Sequence, residues 1–267
     1  MNAGDWKGRA LGTRTVSYDE TRPILYALAV GAHATDLDLV FEERLRVLPT
    51  FALTLAQWAP DALGSAGAFD VRTAVHGTQR LRALAPLPRS GAVEMSAHVS
   101  GVWDKGRAAV FDVTVASEYF EATWSLFAPG SGGFGGERGP SARARPSTAP
   151  DLSLPVRTDP DQAALYRLLG DRHHMHIDPE AAKAAGMPRP FMHGLCTLAA
   201  VTLPLAAAVG AHPADLEELE ARFASPVFPG DELAVEAWKA GDATAFEASV
   251  DGTTVLSAAR ATFTGAR

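Results

Sequence analysis

Polar and apolar residues alternate along several stretches of this chain, and the stretches recur in two sets. Residues 93–102 read Val-Glu-Met-Ser-Ala-His-Val-Ser-Gly-Val, with an apolar side chain at nearly every second position. A period of two marks a strand with one face in a core. Residues 108–116 and 120–127 are further β-like runs. In the second half, residues 233–238, 245–250 and 255–263 repeat the arrangement. Prolines and a glycine punctuate the chain ahead of each set: Pro86, Pro88 and Gly91 in the first half, Pro226, Pro229 and Gly230 in the second. Such residues separate one strand from the next. Each half therefore reads as helix followed by antiparallel meander, and the chain reads as a distant duplication.

The helical patterns complete the picture. Residues 194–209 are apolar nearly all round, which marks a buried helix. Gly210 suits the position just past its C-terminus, and Pro204 is expected to kink it. Residues 48–59 are the predicted counterpart in the first half. The expected class is α+β, with an antiparallel sheet enclosing a long buried helix in each half. A shorter helix is predicted to start with Asp178 as N-cap and Pro179 at its first position, and to stop at Gly186. Between the halves, residues 129–140 are Gly-rich and residues 141–150 are rich in Pro, Ser and Arg. Neither stretch suits a packed element, so both are expected to form a surface linker between a unit of residues 1–128 and a unit of residues 151–267. A phosphate-cradling reading of the glycines lacks the Lys-Ser/Thr of a P-loop and a preceding Rossmann strand.

Composition narrows the function classes. Hydrophobic residues make up 47% of the 267, enough for a sizeable core. The net charge of −7 argues against a nucleic-acid partner. A polyanionic ligand would need a local cluster of Arg and Lys. No run of 18 apolar residues is present, and the first residues carry no apolar h-region. The expectation is a cytoplasmic protein that neither crosses a membrane nor binds nucleic acid. The single cysteine, Cys196, excludes an intramolecular disulfide and reads as a small core residue.

The candidate chemistry lies between Tyr166 and Thr197. Asp171 and His176 stand five residues apart in a segment without helical pattern, and His193-Gly194 opens the apolar helix. Taken alone, Asp171 reads as a turn aspartate after Gly170, and His176 as a packed loop histidine. Together with the free N–H groups of a helix start, they offer a carboxylate, an imidazole and an oxyanion donor. His173, His174 and His176 invite a metal reading, but no Cys or second acidic cluster stands at metal-site spacing nearby. No Gly-x-Ser-x-Gly elbow supplies a hydrolase nucleophile. Neither a metal nor a cofactor is expected.

Gly170-Asp171, His176-Ile-Asp-Pro179 and Phe191-Met-His-Gly-Leu-Cys-Thr197 resemble the signature of the MaoC-like family of (R)-specific, type 2 enoyl-CoA hydratases. Residues 24–31, 47–51, 75–81 and 132–136 are similar to the double-hotdog branch of that family, so nearly the whole chain is covered. The resemblance implies a double hotdog fold. It implies that the N-terminal hotdog accommodates the acyl chain and that the C-terminal one is catalytic. Asp171 and His176 would activate one water and add it across the 2,3 double bond of a trans-2-enoyl thioester, giving a (3R)-3-hydroxyacyl thioester, or run the reverse dehydration. The Gly194 N–H would polarise the thioester carbonyl. His173, His193 and Leu195 would line the substrate. The substrate would be carried by coenzyme A or by an acyl carrier protein, and a homodimer is the expected assembly. Two departures stand out. His173 and His174-Met175 replace the family's Asn-Pro-Leu, and an imidazole titrates where an Asn amide does not. Pro129 stands where the branch tends to have an Arg ahead of the glycines. The alternatives are a non-catalytic or altered acyl-thioester binding module, and a thioesterase on the same fold.

Overall fold

The computed structural model describes residues 2–266. Ten strands form one antiparallel sheet in the order β1-β3-β4-β5-β2-β7-β10-β9-β8-β6. The first half supplies β1 (Ala10–Tyr18), β2 (Val75–Ala83), β3 (Gly91–Asp104), β4 (Ala108–Ala116) and β5 (Phe120–Pro129). The second supplies β6 (Leu152–Arg157), β7 (Leu216–Phe223), β8 (Glu232–Ala240), β9 (Ala243–Val250) and β10 (Thr253–Phe263). Read outward from the centre, both halves place their own second, fifth, fourth, third and first strands in succession. The duplication expected from the strand pattern is thus a symmetry of the topology. The halves join where β2 pairs with β7, from Thr78 opposite Arg222 to Arg82 opposite Glu218. At the middle of that pairing Arg80 meets Glu220 at 3.1 Å.

The alternation along β3 buries Val93, Met95, Ala97 and Val99 and turns their neighbours outward. The seven helices of the described residues lie between strands in each half: α1 (Thr21–Ala29), α2 (Leu37–Val40), α3 (Ala52–Ala56), α4 (Trp58–Ser65), α5 (Gln162–Tyr166), α6 (Pro179–Ala184) and α7 (Gly194–Ala208). Helix α7 buries Leu198, Ala199, Val201, Leu205 and Ala206 completely, as its all-round apolar sequence requires. It runs through Pro204 and ends ahead of Gly210, whose φ of +74° suits glycine. Cys196 is a buried free thiol on this helix. Each half is an antiparallel sheet against a buried helical segment, the double hotdog arrangement.

One expectation needs correction. The first-half helix is not one rod over residues 48–59. A 3-10 turn over Pro49–Phe51 leads into α3, and the chain breaks at Gln57 before α4. Pro60 explains the break. Its ring collides with the carbonyl four residues earlier, on Ala56, where α3 ends. Past Pro129, the Gly-rich stretch forms no helix or strand and is mostly exposed, as expected of a surface linker, but it is pinned at one point. Gly133 and Gly135 donate backbone N–H groups to the Asp104 carboxylate at 3.0 and 2.8 Å, and Gly106 donates a third at 2.8 Å. Gly130, Gly133 and Gly135 all have φ near +80°. The glycines therefore let the backbone coil around an aspartate of the chain itself. Among the described residues, no helix is long and apolar enough to cross a membrane.

Candidate active site

Helix α5 passes into a 3-10 turn over Arg167–Leu169, and the chain then reverses at Gly170 with φ +147°. A side chain would be strained there. The reversal presents Asp171 to the interior. A second 3-10 turn, His174–His176, follows and turns His176 inward, where it is buried. Asp178 then caps α6 as expected, accepting from the Glu180 N–H at 2.9 Å. The return from α6 brings His193 to the N-cap of α7.

These turns bring Asp171, His176 and His193 together, with one polar atom from each lying within 4.8 Å of the others. The hydrogen bonds fix both imidazoles. The His176 Nδ1–H donates to the Phe191 carbonyl at 2.8 Å, which leaves its Nε2 as a lone pair. The His193 Nε2–H donates to the Asp171 carbonyl at 3.1 Å. The remaining nitrogen of His193, Nδ1, is buried without a partner. The two rings stack with centroids 3.8 Å apart and planes 29° apart. The cluster of His173, His174 and His176 that invited a metal reading does not converge; His193 takes the third place.

The charge states follow from the surroundings. Burial pushes the Asp171 carboxyl up, but the His173 hydrogen bond and then the neighbouring imidazoles more than offset it, so its pKa is lowered. Burial lowers His176. Burial, and then the neighbouring His176, lower His193 to about 3. Both stacked imidazoles are neutral near pH 7. His173 is raised, chiefly because its Nδ1–H donates to Asp171 Oδ1 at 2.6 Å. The site thus offers one carboxylate, two neutral imidazole lone pairs and, at its edge, a third imidazole that favours its charged form.

Asp171, His173, His176, His193, Gly194 and Leu195 all line one cavity of about 1620 Å³. Gly194 is the first residue of α7, so its N–H has no acceptor a turn earlier in the helix. A Cβ on Gly194 would lie 3.0 Å from the Phe223 ring, so glycine is what allows that approach. The first half also supplies residues to the wall of this cavity, of which Asp61 and His76 were not among the expected site residues. Asp61 of α4 and His76 of β2 both line it. His76 packs on Phe223 with centroids 4.7 Å apart, and its Nε2–H donates to the Thr78 carbonyl at 3.1 Å. Desolvation raises the Asp61 carboxyl, with His173 opposing and Asp171 adding to that effect. No motif surrounds Asp61, whereas His76 lies in the 75–81 stretch that resembles the double-hotdog branch.

Known proteins decide the family. Residues 141–261 match the MaoC like domain, and residues 16–128 match the MFE-2 hydratase 2 N-terminal domain. An enoyl-CoA hydratase of Mycobacterium tuberculosis is 37% identical over 84% of this chain and 85% of its own. The chain belongs to the MaoC-like dehydratase family. The peroxisomal multifunctional enzyme type 2 of Mus musculus is also 37% identical, over 92% of this chain but 36% of its own length. Among solved structures, a MaoC-like dehydratase from Phytophthora capsici superposes with a TM-score of 0.88 at 26% identity, over 99% of this chain and 98% of that one.

Proposed function

We propose that this member of the MaoC-like family adds water to trans-2-enoyl thioesters to give (3R)-3-hydroxyacyl thioesters, and catalyses the reverse dehydration. The observation that carries the reading is the convergence of Asp171, His176 and His193 beside the N-terminus of α7. A water among them donates one O–H to the free Asp171 oxygen and the other to an imidazole lone pair. As its oxygen attacks C3, one of its protons passes to the Asp171–His176 pair, and the pair delivers a proton to C2. The water's OH ends on C3 and its H on C2, so the group is restored. Negative charge develops on the thioester oxygen in between. The Gly194 N–H and the helix start accept that charge, and positioned acid–base groups of this kind contribute roughly 10²–10⁴ in rate.

In this reading, residues 1–128 form the acyl-binding unit and residues 151–267 the catalytic one. His173 and His193 orient Asp171 and His176, and Leu195 touches the acyl thioester. The test is direct. Mixing the protein with crotonyl-CoA removes the conjugated-enoyl absorbance and yields (3R)-3-hydroxybutyryl-CoA, identified by an (R)-specific dehydrogenase. Release of free thiol with no hydroxyacyl product would instead mark a thioesterase. No reaction on enoyl thioesters of any chain length would leave a binding module.

A further inference from the structure

Helix α4 carries a polar ridge into the first-half wall of the cavity. Gln57, immediately ahead of the helix, Asp61 and Ser65 follow one another at four-residue intervals, and all three line the cavity that holds Asp171 and His176. Four-residue steps keep side chains on one face of a helix, about 6 Å apart along its axis. The other face enters the core, where Ala59 and Leu63 are fully buried. A Cβ on Gly64 would lie 2.8 Å from Val71 Cγ1, so the glycine lets the segment after α4 fold back against the helix. That segment brings Phe69, Val71 and Val75 to the same cavity, where Leu126 and Phe127 of β5 join them. Val71 and Val75 keep 61% and 55% of their surface free, apolar area that an acyl chain can cover. The wall is therefore amphipathic, an apolar strip beside a polar ridge.

Asp61 is the charged member of the ridge. It is exposed to the cavity, and among the described residues its carboxylate forms no ion pair with a Lys, Arg or His. A plain alkyl chain laid along this wall would strip the carboxylate of water and return no hydrogen bond. A carboxylate only accepts, so the group that compensates it is a donor. A cationic amine would also meet His173, which lies close enough to act on Asp61 and favours its charged form. A hydroxyl is neutral. It donates to Asp61 and accepts from the Gln57 amide or the Ser65 hydroxyl on the same ridge.

We propose that the enoyl thioester taken by this site carries a hydroxyl group on its acyl chain, beyond the double bond, and that Asp61 accepts its hydrogen bond. The inference rests on the enoyl-thioester reading and adds the class of acyl group. The carbon chain covers the apolar strip of Phe69, Val71 and Val75, and its one polar edge faces the ridge of α4. Asp61 thereby sets specificity for the acyl chain, away from the atoms that react.

Calorimetric titration of the full chain with octanoyl-CoA and with its 6-, 7- and 8-hydroxy derivatives tests the ridge. These saturated ligands have no double bond to hydrate, so binding is read without turnover. At least one hydroxylated ligand is expected to bind about tenfold or more tightly than octanoyl-CoA, the worth of one hydrogen bond to a charged acceptor. Asp61→Leu is expected to erase that preference and to tighten octanoyl-CoA, whereas a merely structural role would weaken all four ligands together. Circular dichroism checks the fold. Asp61→Asn, of the same size but neutral, is expected to lower the preference severalfold and keeps the test open if the leucine variant does not fold. Octanoyl-CoA binding as tightly as all three derivatives, a preference that survives both substitutions, or an equal loss for every ligand overturns the proposal. A protein that shows the preference yet fails to hydrate crotonyl-CoA loses the proposed reaction and keeps the acyl recognition; one that hydrates crotonyl-CoA without the preference loses only the recognition.

Discussion

His173 is the residue through which this chain differs most at its own centre. Its Nδ1–H donates to Asp171 at 2.6 Å while half of its side chain faces solvent. The contact raises the imidazole above its ordinary 6.5 and helps hold the Asp171 carboxyl below its ordinary 3.8. For His173 the raised folded value means that its contribution to stability is full below 6.5 and is lost as pH rises through that raised value. For Asp171 the contribution is present above 3.8 and lost as pH falls through the depressed value. Between the two the charged pair persists and makes Asp171 a weaker base. Turnover should therefore show an ionisation above 6.5 that His173→Asn abolishes, with activity on crotonyl-CoA kept or raised. A pH–rate profile measures this, and a folded His173→Asn protein without activity would give His173 an acid–base role of its own. The motif made Asp171, His176 and Gly194 legible in the sequence. The tautomers were not, because they depend on the Phe191 and Asp171 carbonyls, which only the fold places.

At the scale of elements, the sheet was the easier part to read. Strands β3 and β8 announce themselves by alternation, and β4, β5, β9 and β10 as β-like runs. Strands β1 and β6, at the two edges, carry weaker signals, since an edge strand has a neighbour on one side only. Helix α7 was legible from its apolar surface alone. Its first-half counterpart was misjudged because Pro60, which breaks it, lies just beyond the apolar run. The anchoring of the glycine loop was not legible because its partner, Asp104, sits about thirty residues earlier in sequence. Backbone donors, with Gly133 the strongest, hold the Asp104 carboxyl down to about 2. Its contribution is therefore present above 3.8 and lost as pH falls through about 2. Asp104→Asn removes the charge and turns an NH₂ toward a backbone N–H. It should lower the melting temperature and make residues 130–140 roughly tenfold more sensitive to limited proteolysis. An unchanged cleavage rate would mean that the loop is held by something other than this carboxylate.

The whole molecule is a duplication in which the two halves share one cavity and divide its surface. The repeat was legible in the spacing of strands and prolines. The β2–β7 seam was not, because the pairing of distant strands is set by tertiary packing rather than by local pattern. That seam brings His76 and Asp61 to the wall opposite Asp171. Burial lowers the His76 pKa to about 4, and its Nε2–H is committed to the Thr78 carbonyl. A neutral, bonded imidazole of this kind packs rather than transfers protons. His76→Gln should keep turnover within about threefold of wild type, a small fraction of what one acid–base group supplies. A loss as large as that from removing His176 would mean that both halves take part in proton transfer. The central claim is that Asp171 and His176 act as one unit on one water, and steady-state hydration of crotonyl-CoA by Asp171→Asn, His176→Ala and the double variant tests it most directly. Each single substitution should cut kcat by at least about a hundredfold, and the double variant should be little worse than either, as for residues that act together. A folded single variant with near-wild-type kcat, or losses that multiply in the double variant, would contradict the account.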